Sequence, residues 1–342
     1  MKILIDTIYI HNGGGKVLLD LICKQISKNG DIDNYFFLFD KRYKPIIQFS
    51  GKRNYKQIIP NESRRKEFYK NNSQDFKRFL CFGNVPPPIR IDKNVDIYFH
   101  NDLLLKPLSN NTSFFNKISL VLKKYYIIIR NKKHYRWCVQ TNRMAEKLDM
   151  LFKISKENIN VYPIYDSSFL NLSIKEDNSF LYVSNFSKHK NHKRLYEAFK
   201  KASDKIGERI ILNLTIDDKE FNSSFYNEAK MTKNLLIVNH GILNKNELNK
   251  LYNVSKYLIF PSLNESFGLP LIEASLNNCY IIASNKQYVY EVVKPSITFD
   301  PTSIKDMSKS IVNAYKNIGL SKPKLLVENK IDTFVKYIQE YV

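Results

Sequence analysis

Glycine is scarce in this chain, 10 in 342 residues, and Gly13, Gly14 and Gly15 form the one cluster among them. A dinucleotide fingerprint needs a third, spaced glycine, and Leu18 stands in its place; Gly15-Lys16-Val17 lacks the Ser or Thr of a Walker loop. Neither a nicotinamide nor an ATP fingerprint is supported. What remains is a strand-to-helix loop through which a backbone can approach a ligand, or a flexible turn. Cysteine is also sparse: Cys23, Cys81, Cys138 and Cys279 lie far apart, without a Cys-x-x-Cys pair or metal-ligand spacing. They read as reduced structural thiols, and no metal is expected. No run of 18 apolar residues occurs, so no spanning helix is expected, and the opening MKILIDTIYI leads to His11-Asn12-Gly13 with no small-residue cleavage pattern. The expectation is a cytoplasmic protein.

Positive charge is plentiful. Lys and Arg number 54 against 33 Asp and Glu, a formal charge of +21, and residues 1–166 hold 30 basic and 15 acidic residues, +15 of that total. Such a surplus suits an anionic partner: nucleic acid, an anionic membrane surface or a phosphorylated substrate. The 43% hydrophobic content is enough for a sizeable core, and the length suits two domains.

Strand and helix patterns alternate along the chain. Lys2 to Ile10, Tyr35 to Phe39, Asn94 to His100, Tyr135 to Gln140 and Asn160 to Pro163 read as strands, with an amphipathic helix at Lys16 to Ser27. The rhythm resumes with strands at Phe180 to Asn185, Ile210 to Thr215, Leu235 to Asn239, Tyr257 to Phe260, Tyr280 to Ala283 and Ser296 to Phe299, and helices such as His192 to Ile206 and Lys245 to Val254. This predicts parallel sheets covered on both faces, an α/β protein of two doubly wound Rossmann-like domains facing across a cleft. The polar stretch Asp166 to Asp177 marks the boundary: an N-terminal, acceptor-binding domain over 1–166, a C-terminal, nucleotide-sugar-binding domain over 167–320, and a helix in 321–342 returning to the first domain. The ligand roles in that division come from the following resemblance.

The run PSLNESFGLPLIEAS (261–275) resembles the Glu-x7-Glu signature of the retaining nucleotide-sugar glycosyltransferases of family 4 (glycosyl transferases group 1), which have the GT-B fold. Phe180 to His192 is similar to that family's phosphate-binding segment, and Val238-Asn239-His240-Gly241 to the strand and turn before the signature. In the first half, Gly13-Gly14-Gly15, Asp96 to His100 and Val139-Gln140-Thr141 are similar to family features. The resemblance implies transfer from a nucleotide-diphosphate sugar to a saccharide or lipid-linked acceptor with retained configuration, without a cofactor or metal, in bacterial surface polysaccharide synthesis.

It also implies roles. Glu265 would accept hydrogen bonds from sugar hydroxyls, Glu273 would hold the nucleotide ribose, and Lys190 would clamp the leaving diphosphate. Pro270 suits the first turn of a helix, so the amides around Ser266, Phe267, Gly268 and Leu269 would face an anion. Asn185 stands where the family has Arg, and Ser184 where it has Gly. Asn brings no charge, so either Lys188 or His189 substitutes or turnover is slow. Gly13 to Gly15 would lie over the cleft. His100 would reach the transferred sugar or an acceptor phosphate, or serve as a capping or exposed histidine. Asp31-Ile32-Asp33 is a formal Asp-x-Asp, read as turn chemistry.

Three segments mix cations with apolar residues as interfacial helices do: Arg64 to Tyr69, Phe76 to Leu80 and Lys123 to Arg130. They suggest a peripheral contact with the inner face of the cell membrane through Arg64, Arg65, Lys66, Lys123 and Lys124; ordinary helices with basic faces are the alternative. A nucleic-acid binder and a GT-B relative without transfer activity are the competing functions. The first lacks a zinc-finger, RNP-like or basic-region signature, so no nucleic acid is expected. Asn185 is the argument for the second.

Overall fold

The structure is a computed structural model that describes residues 1–47, 54–105, 114–168, 175–228 and 233–340. Its chain divides into two units, Met1–Tyr165 with Glu328–Val342, and Asp166–Val327.

The first unit runs β1 (Lys2–Asp6), α1 (Gly13–Lys28), β2 (Tyr35–Asp40), β3 (Tyr55–Ile58), α2 (Glu62–Asn72), β4 (Phe76–Cys81), β5 (Asn94–Tyr98), α3 (Phe114–Arg130), β6 (Arg136–Val139), α4 (Asn142–Phe152) and β7 (Ile159–Val161). Its seven strands form one sheet in the order β3-β2-β1-β4-β5-β6-β7, parallel throughout. Period-two alternation distributes each strand between two cores. Leu4, Phe79, Cys81 and Ile97 face one, with Phe68 of α2, Ile127 of α3 and Met144 and Leu148 of α4. Ile3, Ile5, Leu80 and Tyr98 face the other, with Leu19, Ile22 and Cys23 of α1.

The second unit runs β8 (Glu176–Tyr182), α5 (His192–Ile206), β9 (Ile210–Leu214), α6 (Asp218–Asn222), α7 (Phe225–Glu228), β10 (Leu235–Asn239), α8 (Lys245–Val254), β11 (Ser255–Phe260), α9 (Leu269–Leu276), β12 (Tyr280–Ser284), α10 (Gln287–Tyr290), β13 (Val293–Lys294), β14 (Ile297–Phe299), α11 (Ile304–Tyr315) and β15 (Lys324–Leu325). Its main sheet has the order β10-β9-β8-β11-β12-β14, again parallel. The last helix, α12 (Ile331–Glu340), belongs to the first unit, where Phe334, Val335 and Ile338 complete the core beneath α1. The architecture is α/β, two doubly wound Rossmann-like units.

Several boundaries differ from the sequence reading. Strand β1 ends at Asp6 rather than Ile10, because Asp6 Oδ1 accepts the amide of Ile8 at 3.2 Å and turns the chain. Residues 321–327 stay with the second unit, since β15 pairs antiparallel with β13; the returning segment starts at Glu328. Phe76 to Leu80 is no interfacial helix but lies in the central strand β4, where Arg78 is buried and pairs with Asp96 at 2.7 Å. Arg65 is no surface cation either: at 1% exposure it holds Asp6 through Nε at 2.7 Å. Part of the boundary stretch Asp166 to Asp177, residues 169–174, lies outside the described residues.

Candidate functional site

In a doubly wound sheet, ligands bind where successive connections leave in opposite directions, beyond the carboxyl ends of the strands. In the second unit that place lies between β8 and β11, neighbours in the sheet whose chains move on to β9 and β12. The loops after these strands, 183–191 and 261–268, are tied together. Leu263 donates its amide to His189 O at 2.8 Å, Tyr182 donates its hydroxyl to Lys190 O at 2.7 Å, and Asn191 donates Nδ2 to Pro261 O at 3.2 Å. These bonds bring Lys190 Nζ to 2.6 Å from Glu265 Oε1, with 14% and 13% of the two side chains exposed. Two residues singled out from distant parts of the sequence thus meet as a largely buried ion pair.

Beyond Glu265 the chain enters α9 through Gly268, at φ +90°, a conformation that side-chain-bearing residues rarely adopt. A Cβ there would also lie 3.1 Å from Leu271 Cδ1. Phe267 is buried beneath the turn, Leu269 opens the helix and Pro270 occupies its first turn, where a missing N–H breaks no helical bond. The first amides of a helix have no intrahelical acceptor, so this end can receive an anion.

Glu273 lies on the same helix. Its Oε2 accepts the hydroxyl of Tyr252, a buried residue of α8, at 2.8 Å. Burial pushes the Glu273 carboxyl up to about 7, with Asp166 adding to the rise and Tyr252 and Lys245 opposing it. A carboxylate in this otherwise apolar helix is costly to bury, and the tyrosine hydroxyl partly compensates it.

Asn185 is exposed, and its Oδ1 accepts the Ser187 hydroxyl at 3.1 Å. His189 places Nδ1 3.2 Å from the same hydroxyl, and Lys188 is exposed. His192 escaped the sequence reading as a site element. It is buried, lies 3.1 Å from Ser184 Oγ, 2.9 Å from Asn185 O and 3.3 Å from the Tyr226 hydroxyl, and burial holds it down to about 4, so it anchors the loop as a neutral ring.

The first unit has its own switch point between β1 and β4. Here the structure joins the glycine loop to His100: a Cβ at position 15 would lie 2.8 Å from His100 Cε1, so glycine is what lets the loop and ring approach. Gly13 has φ +60°, whereas Gly14 meets nothing within 4 Å. The His100 amide donates to Asn84 Oδ1 at 2.7 Å, and its Nε2 lies 3.3 Å from both Asn84 Nδ2 and Phe82 O. Burial pushes His100 down to about 4, so the ring is neutral at physiological pH. Nearby in the chain, Tyr9 sits at φ +80° and donates its hydroxyl to Glu62 at 2.8 Å, and Glu62 also accepts from Tyr126. Neither Asn84 nor Tyr9 carries a sequence signal, since strand ends far apart in the chain bring them here. Asp31 precedes a short 3-10 turn at Ile32–Asn34 without capping it, its Oδ2 accepting Gln339 Nε2 at 2.6 Å, away from both switch points. Among the described residues no group of three His, Cys, Asp or Glu could hold a metal, and no helix is long and apolar enough to cross a membrane.

Two doubly wound units, each with polar residues at its switch point, define the GT-B architecture. Residues 166–332 match the family described as Glycosyl transferases group 1. The chain is 33% identical over 135 residues to the capsular polysaccharide biosynthesis glycosyltransferase CapH of Staphylococcus aureus, an alignment covering 38% of this chain and 37% of CapH. It is 25% identical over 279 residues to the O-antigen chain mannosyltransferase RfbU of Salmonella typhimurium, covering 78% of this chain and 70% of RfbU. Among solved structures, Anabaena HepE in complex with UDP and glucose superposes with a TM-score of 0.61 at 13% identity, covering 99% of this chain and 98% of HepE. The chain thus spans little more than a third of CapH while sharing the whole fold of HepE.

Proposed function

We propose that this protein is a family 4 glycosyltransferase that moves a hexose from a nucleotide-diphosphate sugar to a saccharide or lipid-linked acceptor with retained configuration. The setting is bacterial surface polysaccharide synthesis, at the cytoplasmic face of the membrane. The observation that carries the reading is the Lys190–Glu265 pair at the β8/β11 switch point, beside the helix that bears Glu273 and inside the matched residues 166–332. The names of CapH and RfbU support the polysaccharide setting, and the UDP and glucose bound by HepE support a nucleotide-sugar donor.

In this reading the diphosphate lies on the N-terminus of α9 and against Lys190. An ammonium has three donors, so Lys190 can hold Glu265 and a phosphate oxygen together. As the sugar–phosphate bond breaks, charge grows on the leaving oxygen, and donors already fixed toward it favour the oxocarbenium-like transition state. Glu265, oriented by Lys190, accepts from sugar hydroxyls, and Glu273 accepts from the ribose. His100, neutral, hydrogen-bonds to the sugar or the acceptor.

Thermal stabilisation by a panel of nucleotide sugars tests the donor: one of them raises the melting temperature in proportion to its affinity. With that donor, product NMR shows the anomeric configuration retained, and turnover persists in excess chelator, since in this reading Lys190 and the helix amides hold the diphosphate. An inverted product refutes the mechanism; no response to any nucleotide sugar refutes the donor site. A GT-B relative that binds without transferring is the second reading, favoured by exposed, uncharged Asn185. Donor binding without turnover on any saccharide acceptor would select it.

A further inference from the structure

Two Asn–Gly pairs occur in the chain, Asn12–Gly13 and Asn29–Gly30, and they stand at opposite ends of α1. Both asparagines and both glycines are exposed, and both glycines have a left-handed φ, +60° at Gly13 and +75° at Gly30. A Cβ at either glycine would meet nothing within 4 Å. Sequence, exposure and glycine conformation therefore treat the two pairs alike.

Hydrogen bonds and the helix separate them. Asn29 ends α1 with helical dihedrals: its amide donates to Gln25 O at 3.1 Å, its Oδ1 accepts Gln25 Nε2 at 3.3 Å, and the Gly30 amide donates to Ser27 O at 3.1 Å. The Gly30 nitrogen is thus engaged, and ψ of Asn29 cannot turn without breaking these bonds. Asn12 lies outside the helix in extended backbone, at φ −150° and ψ 177°, and its side chain makes no cap bond. The Gly13 amide, the first of the helix, donates to no acceptor among the described residues. What holds the Asn12 backbone is a 3.3 Å bond from the Lys16 amide to its carbonyl. Electrostatics widen the difference, because the N-terminal end of a helix favours negative charge and the C-terminal end disfavours it. A deprotonated amide is stabilised at Gly13 and destabilised at Gly30.

We propose that Asn12–Gly13 is a self-modifying site, at which Asn12 converts to aspartate and isoaspartate while Asn29 is kept. The Gly13 nitrogen, having lost its proton to solvent hydroxide, attacks Asn12 Cγ. The N–Cγ bond forms, the Cγ–Nδ2 bond breaks, and Nδ2 leaves as ammonia with a proton taken from water, closing a cyclic imide. Water then adds to either imide carbonyl carbon and opens the ring, leaving a carboxylate on the side chain in aspartate, or on the main chain with the linkage through Cγ in isoaspartate. One water is consumed and one ammonia released, with no oxidant or reductant. Since α1 has no acidic residue in its first turn, the new carboxylate brings negative charge to a helix end that is open to anions. Isoaspartate also lengthens the main chain by a carbon, in a loop fitted to His100, where a Cβ at position 15 would lie 2.8 Å from the ring. With His100 on the sugar or acceptor, a role that rests on the proposed function, conversion slows transfer.

Peptide mapping of the full chain during incubation at mildly alkaline pH tests the site, with isoaspartyl methyltransferase labelling to locate the isoaspartate. In the folded protein Asn12 converts at least about tenfold faster than Asn29, and in denaturant the two rates agree within about twofold, because the protection of Asn29 belongs to the fold. Asn12→Ser, which keeps a helix-capping residue, forms no isoaspartate in that peptide. An Asn12 that converts no faster than Asn29 in the folded protein overturns the proposal. For the consequence, turnover of the unaltered protein falls in step with conversion, while aged Asn12→Ser keeps the turnover it had when fresh. Undiminished turnover after complete conversion of Asn12 overturns the effect on transfer. Conversion at Asn12 in a protein with no response to any nucleotide sugar would refute the proposed transferase and leave the modification standing; transfer by a protein whose Asn12 stays intact throughout would do the reverse.

Discussion

In the proposed donor site Glu273 would have to be a carboxylate to accept two ribose hydroxyls, yet burial raises its carboxyl to about 7, above the ordinary value of 4.5. The folded protein therefore holds a proton there that the unfolded chain gives up at lower pH. The ligand-free protein loses stability as pH rises from about 4.5 through about 7, with the penalty complete above that. Donor affinity has the opposite sign and rises through the same interval. Tyr252→Phe removes a hydrogen bond that favours the ionised form, so the midpoint of the affinity profile moves upward. Glu273→Gln flattens this pH profile and lowers affinity by about tenfold or more, since a hydrogen bond to a charged group contributes about 1.5–3 kcal/mol. Calorimetric titration from about pH 6 to about pH 8.5 reads all three proteins; coincident wild-type and Tyr252→Phe midpoints would remove Tyr252 from the site. At the other acid, Glu265→Gln lowers turnover more than nucleotide affinity, as steady-state kinetics beside titration will show.

Among the secondary-structure elements, α12 ties the end of the chain to the first unit's sheet. Tyr337 donates its hydroxyl to Asp96 at 2.6 Å, its carbonyl accepts from Arg78 Nη1 at 2.8 Å, and the Arg78 guanidinium lies 4.7 Å from its ring. Phe334 is fully buried between Tyr98 and Tyr162, at centroid distances of 5.2 and 5.3 Å. Phe334→Ala should cost the first unit about 3–5 kcal/mol, the range for emptying a buried aromatic site. Scanning calorimetry should show one transition lowered and nucleotide-sugar stabilisation of the other preserved. Elements like α12 and β1 were legible in sequence because period-two and helical spacing survive burial. Strand β4 was not, since Arg78 reads as a surface charge until Asp96, on a neighbouring strand, is seen beside it. Likewise α3 displays cations and apolar residues in sequence, but only its fold separates the face that enters the core from the one that does not.

For the molecule as a whole, the 30 cations of residues 1–166 include some that never meet solvent, and because each of these is cancelled by a buried carboxylate the surplus of +15 is carried by other residues. Arg65, Arg78 and Arg143 are buried and paired with Asp6, Asp96 and Asp102. What the charge implies about partners therefore depends on where the remainder lies, which composition does not encode. The donor-site candidates were readable because Glu265 to Glu273 form one contiguous run, and Lys190 stands in a segment of its own. Tyr252, Asn84 and the meeting of Gly15 with His100 were not, because each arises from strand order. Asn185 remains the sharpest difference from the family pattern, and the structure puts it in solvent with no cation in its own side chain to offer.

The first unit opens at Met1 and closes only with α12, so the whole of Asp166–Val327 is an insertion within it. The two places where the chain leaves and re-enters are joined: Asn329 Nδ2 donates to Tyr165 O at 2.7 Å, and Lys330 donates its amide to Pro163 O at 2.8 Å. A nascent chain leaving the ribosome thus carries an N-terminal sheet whose core still lacks Phe334, Val335 and Ile338, while the inserted unit is already synthesised in full. The usual vectorial order, first domain first, is reversed in its completion. Premature termination before residue 331 would release a chain with a finished second unit and an unfinished first one, open to proteolysis at its N-terminal half.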